Sequence, residues 1–103
     1  MIDDIGGTAG NLYGVLEGTC PGSILFSAHM DRVANGHGIK PVVNDGIVTA
    51  QGTILAADDI SGVCAILDGL RRAKASGKPH PRVEVIFSVS EEKGVTGSRY
   101  IKY

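Results

Sequence analysis

Between Asp59 and Ser76, the residues Ile60, Val63, Ile66, Leu67, Leu70 and Ala73 recur at three- and four-residue steps. No other feature constrains the fold as much, because only a helix gathers that spacing into one apolar stripe. The pattern predicts one long helix over about 59–76. Asp58 or Asp59 can cap its first N–H groups, Arg71, Arg72 and Lys74 suit its negative end, and Gly77 is a natural stop. β-like runs flank it. Ser23 to Ala28 is apolar without alternation, as in a strand covered on both faces, and Arg82 to Ser90 sets Val83, Val85, Phe87 and Val89 on one face. Strand, long helix and strand in that order favour an α/β fold with a mixed sheet, at least partly parallel.

The rest of the chain fits around that unit. Asn11 to Glu17 reads as a first strand and Thr19-Cys20-Pro21-Gly22 as a turn. Residues 32–52 form an irregular excursion in which Asn44-Asp45-Gly46, between Pro41-Val42-Val43 and Ile47-Val48-Thr49, signals a hairpin. With 103 residues there is room for at most one small domain. A net charge of −1 argues against a nucleic-acid or anionic-membrane partner, and the absence of Trp argues against a base-stacking surface. No apolar run approaches the roughly 20 residues of a membrane span. The acidic start, Met1 to Gly7, lacks the apolar stretch of a signal peptide. Cys20 and Cys64 are no disulfide framework and suit a reducing compartment, so a cytoplasmic location is expected.

Three clusters carry the chemistry, each directly after an apolar segment: Ser27-Ala28-His29-Met30-Asp31, Leu55-Ala56-Ala57-Asp58-Asp59 and Val89-Ser90-Glu91-Glu92-Lys93-Gly94. Each alone has an ordinary explanation: a solvated strand-end pair, a pair of helix caps and an acidic turn. Together they place an imidazole and several carboxylates at the ends of rigid elements, which points to a metal-dependent hydrolase. His29 and Asp31 can share a face, and a metal-bound imidazole usually has its second nitrogen held by a carboxylate or carbonyl. A carboxylate just ahead of the helix, from Asp58 or Asp59, can bridge two cations. Glu91 and Glu92 point to opposite sides if extended, so one can take a metal while the other faces substrate as a general base. His37, in a glycine-rich loop, and His80, between prolines, read as exposed. The Gly6-Gly7-Thr8-Ala9-Gly10 stretch does not follow a strand and open a helix, so it is not a phosphate loop.

Taken in order, these motifs resemble the M20 family of zinc aminoacylases and peptidases, nearest its peptidase T-like (tripeptidase) branch. The similarity runs through Gly10-Asn11-Leu12, Leu25 to Asp31, Gly38 to Pro41, Asp45-Gly46-Ile47, Gly52 to Asp59, Ile86 to Gly94 and Gly97-Ser98. The resemblance implies a partial zinc-exopeptidase-like catalytic core that hydrolyses peptide bonds in short peptides. It makes His29 a ligand of one zinc, Asp58 the bridge between two zincs and Glu92 a ligand of the second. Glu91 would be the general base acting on the metal-activated water, and Asp31 the catalytic-site carboxylate that supports His29. It also implies a cis Asp58–Asp59 peptide bond, uncommon outside proline. Arg32, Ala56 and Ile60 depart from the family's usual Thr, Gly and Lys. The resemblance further implies that residues 1–103 are part of a catalytic domain, truncated at both ends, without the lid and dimerisation domain or the downstream acidic and His ligands. A chain of this extent is expected to be inactive alone and to self-associate through exposed strand edges. The alternative is a folded but inert remnant.

Overall fold

A computed structural model describes residues 9–99 and 101. The acidic start Met1 to Gly7, and with it the signal-peptide question, lies outside the described residues, as does most of the 6–10 glycine stretch. The elements in chain order are β1 (Leu12–Leu16), β2 (Cys20–His29), β3 (Pro41–Asn44), β4 (Ile47–Ala50), α1 (Ala57–Ser76), β5 (Pro81–Ser88) and α2 (Thr96–Arg99).

β5 is the middle strand of a mixed three-stranded sheet of order β1-β5-β2, antiparallel to β1 and parallel to β2. Flanked on both sides, it buries Val83, Val85, Ile86 and Phe87. The long helix lies between β2 and β5 in sequence, as a parallel pair requires. Its Val63, Ile66 and Leu70, with Met30, pack on the cluster of Ala28, Val85 and Phe87. The α/β architecture with one long helix is therefore the one the apolar spacing predicts.

Several details differ from the sequence reading. Leu67 is exposed, so the stripe that packs is narrower than the apolar positions suggested. The apolar run of β2 is not covered on both faces: Ile24, Leu25 and Phe26 each remain about half exposed. The physical reason is position, since β2 pairs only with β5 and forms an edge of this sheet. The expected turn at Thr19 to Gly22 is instead an irregularity at the start of β2. There the register shifts between Cys20 and Ser23, Gly22 takes φ 91°, and the Thr19 and Cys20 N–H groups both donate to the His80 carbonyl. Arg71 and Arg72 reach back to Asp68 rather than standing free at the helix end.

The hairpin signal holds. β3 and β4 pair antiparallel with Asn44 opposite Ile47, and the two loop residues, Asp45 and Gly46, both have positive φ. That is the backbone a two-residue turn between twisted strands needs.

Candidate metal centre

The carboxyl ends of the two parallel strands lie side by side, with His29 opposite Ser88. The ladder continues one residue further, the Met30 N–H donating to the Ser88 carbonyl at 2.8 Å. Beyond it Asp31 straps the two strand ends together: its carboxylate accepts the N–H groups of Glu91 at 2.9 Å and Glu92 at 3.1 Å. The Glu91 to Gly94 segment is a turn, not the end of a strand, and β5 stops at Ser88. The strap holds both glutamates beside His29.

The Asp31 main chain does a second job. Its carbonyl lies 2.9 Å from His29 Nδ1, and because a carbonyl can only accept, the proton sits on Nδ1. Nε2 is thereby turned outward, 3.0 Å from Asp58 Oδ1 and 3.7 Å from Glu91 Oε2. Burial of the ring works against its charged form. Asp58, the Asp31 carbonyl and the Glu91 and Asp31 carboxylates outweigh burial and hold His29 above its ordinary range. For Asp31, burial pushes the carboxyl up, but the Glu91 and Glu92 N–H groups prevail and hold it below the usual carboxylate range.

Asp58 comes from a third element. Ala56 has a left-handed backbone (φ 61°, ψ 28°), the Asp58–Asp59 peptide bond is cis, and neither aspartate is helical, so the regular helix begins after them. Asp59 performs the cap, its Oδ1 accepting the Gly62 N–H at 3.2 Å. Asp58 is left exposed and directed at His29. One donor atom each from His29, Asp58 and Glu92 lies within 4.8 Å of the others, an imidazole nitrogen with two carboxylate oxygens. That donor set could hold a divalent metal ion. All five residues singled out in the sequence, His29, Asp31, Asp58, Glu91 and Glu92, are thus brought to one place. His37 and His80 stay apart from it; His80 Nδ1 instead donates to the Pro81 carbonyl.

Sequence reasoning gave Asn11 no role. Its side chain accepts the Val89 N–H at 3.0 Å and donates to the Gly97 carbonyl at 2.9 Å, tying the start of β1 to both flanks of the glutamate turn. Gly97 sits so close that a Cβ there would collide with the Val89 carbonyl and approach Asn11 Oδ1 to 2.8 Å. The one available signal was a polar residue opening an otherwise apolar strand, which has many other causes.

Comparison with known proteins gives the family of this α/β chain. The family model for peptidase family M28 matches residues 11–103, and the chain belongs to that family. The protein YqjE of Bacillus subtilis, itself uncharacterized, is 41% identical over 100 residues, covering 95% of this chain and 27% of that protein. Two solved structures have the same fold. Aminopeptidase PepT from Bacillus cereus superposes with a TM-score of 0.86 at 39% identity, over 91% of this chain and 26% of that one. A tripeptidase from Staphylococcus aureus gives 0.83 at 32% identity, over 89% and 26%. The chain therefore spans about a quarter of the length of these relatives. The family model is that of M28, where the motifs resembled M20, while the solved relatives are of the peptidase T and tripeptidase kind.

Proposed function

We propose that this chain is the metal-site part of a zinc peptidase of the M20, peptidase T-like branch, acting on short peptides. The observation that carries the reading is the convergence of His29, Asp58 and Glu92 donor atoms within 4.8 Å, with the Glu91 carboxylate beside them. His29, Asp58 and Glu92 would hold metal, Asp58 being exposed enough to bridge two ions. Bound there, zinc supplies a Lewis acid for the scissile carbonyl and lowers the pKa of water toward about 7. Glu91, whose carboxylate lies 3.7 Å from His29 Nε2 and outside the three-donor set, would take a proton from water and return it to the leaving amine. Asp31 orients both ends of the site, through its carbonyl to His29 and its carboxylate to the two glutamate N–H groups.

In this reading residues 1–103 are part of a catalytic domain, further ligands come from elsewhere in the parent protein, and the chain alone does not turn over peptide. Peptidase names among relatives of which the match covers about a quarter support the substrate class. Cytoplasmic location is part of the same proposal; no helix among the described residues is long and apolar enough to cross a membrane. Self-association is proposed through β2, whose Ile24 to Phe26 run lies at a sheet edge. An inert folded remnant is the alternative.

Zinc calorimetry on the chain beside His29→Ala and Asp58→Ala tests the ligand assignment. The expected result is one binding event, lost in both variants. Zinc binding unchanged in both would overturn the ligand assignment, and absence of binding in the wild type would mean that this chain alone has no catalytic site and that function belongs to the longer protein.

A further inference from the structure

β5 lies between β1 and β2, and the loop that follows it carries Glu91 and Glu92. That loop, residues 89–97, closes on itself. The Gly97 N–H donates to the Val89 carbonyl at 3.0 Å, and the Thr96 N–H to the Ser90 carbonyl at 3.0 Å. Further in, the Gly94 and Val95 N–H groups donate to the Glu91 carbonyl at 3.0 and 2.8 Å. A compact loop with its ends bonded together has a shape of its own, but where it points depends on what grips it.

Its backbone is strained on both sides of the glutamates. Ser90 has φ 56° and Val95 φ 53°. Left-handed backbone crowds a Cβ, most of all the branched side chain of valine, and is kept where surrounding contacts enforce it. Among the described residues, two side chains from outside the loop hydrogen-bond to its backbone. Asp31, just past β2, accepts the Glu91 and Glu92 N–H groups. Asn11, just before β1, works at the neck: its Oδ1 accepts the Val89 N–H at 3.0 Å and its Nδ2 donates to the Gly97 carbonyl at 2.9 Å. An amide carries an acceptor and a donor side by side, as a peptide group does. Together with the Gly97 to Val89 bond, it satisfies all four backbone polar groups of the neck. Gly97 is buried, and a Cβ there would collide with the Val89 carbonyl, so the two ends meet without slack.

We infer that Asn11 is a positioning residue of the candidate metal centre: by closing the neck of this loop from β1, it holds Glu91 and Glu92 beside His29 and Asp58. The inference rests on the metal-site reading above for its function. Glu91 Oε2 stands 3.7 Å from His29 Nε2, and a Glu92 oxygen lies within 4.8 Å of donor atoms of His29 and Asp58. Asn11 bonds to neither carboxylate and acts through the backbone that bears them. Without its amide, Ser90 and Val95 are free to relax, and the carboxylates move with them. Alanine at this position loses both bonds. Aspartate keeps the acceptor but sets a charged oxygen against the Gly97 carbonyl.

The test is amide hydrogen exchange by NMR on the metal-free 103-residue chain, wild type beside Asn11→Ala and Asn11→Asp. In Asn11→Ala the Glu91 and Glu92 N–H groups should exchange at least about tenfold faster, while the Met30 N–H, bonded to Ser88 beyond the β2–β5 ladder, keeps its rate. Asn11→Asp should give a smaller acceleration and serves for the same comparison if Asn11→Ala does not fold. Zinc affinity, read by chelator competition, should fall about tenfold in Asn11→Ala. Added to Glu92→Ala, the same substitution should cost nothing further, because the ligand it positions is gone. Unchanged exchange at Glu91 and Glu92, an equal rise at Met30, or an equal zinc loss in both backgrounds would overturn the inference. Exchange needs no metal, so it decides the role of Asn11 whether or not the chain binds zinc. A failure of the metal-site reading shows separately, in the calorimetry of the wild type.

Discussion

β5 and the β3–β4 hairpin draw on the same alphabet of valine and isoleucine and end in opposite surroundings. Val83, Val85 and Ile86 are 6–7% exposed, while Val43 and Ile47 are 69% and 64% exposed. The hairpin is complete in itself: one two-residue turn and four facing pairs, all between neighbours in sequence. β5 is built by partners from afar, β1 on one side and β2 on the other, with α1 across its face. The candidate metal centre belongs to the second kind of structure. Its residues meet only because β2 and β5 pair in one register, His29 with Ser88. Local order costs little loop-closure entropy and supports nothing distant; non-local order costs more and positions chemistry.

The largest expected difference between the two regions is in stability. Phe87→Ala removes a ring that is 4% exposed at the centre of the cluster and should cost about 3–5 kcal/mol, enough to unfold a small domain. Ile47→Ala in the hairpin should cost under about 1 kcal/mol. Urea unfolding followed by circular dichroism measures both, and comparable losses would break the contrast. Next comes metal affinity. His29→Ala should weaken zinc binding by at least about 100-fold, beyond the usual cost of disturbing an outer partner, while Gly46→Ala in the hairpin turn leaves it unchanged. Competition with a chromophoric chelator reads this directly.

A smaller effect should follow Asp31→Asn, which keeps the carbonyl that orients His29 but weakens the carboxylate strap to Glu91 and Glu92. Zinc affinity should fall about tenfold with the fold intact. A loss as large as that of His29→Ala would mean Asp31 is itself a ligand. Smallest is Ala56→Gly. Ala56 is left-handed at φ 61°, which disfavours a side chain, so the variant should gain up to about 1 kcal/mol and raise Tm by a few degrees. No gain would mean that the added freedom of glycine in the unfolded chain cancels the relief.

The Ala56 case also shows what a sequence can and cannot disclose. That an alanine stands at position 56, where the resemblance implied glycine, was visible; that the position takes positive φ was not, until the backbone leading to Asp58 was seen. Leu67 teaches the reverse. Its spacing fits the stripe, yet it faces solvent, while Val63, Ile66 and Leu70 are the helix residues that pack on the cluster of Ala28, Val85 and Phe87. β2 misled for a related reason: an unbroken apolar run tells of something to cover it, but not whether the cover is among the neighbours it has here.

By itself the sequence determined the elements whose causes are local. These are the long helix with its Gly77 stop, the Asp45-Gly46 hairpin, the β-character of the runs before and after the helix, and the chemical types of the five candidate residues. Such features depend on periodicity, turn backbone and capping, which act over a few residues. Only the tertiary structure decided which strand lies in the middle, that Asp59 caps while Asp58 faces His29, and that Asp31 joins His29 to the glutamate turn. It also decided that Asn11 braces that turn from the far side of the sheet. Those are hydrogen bonds and contacts between distant segments, and their geometry exists only once β2 and β5 have paired in register.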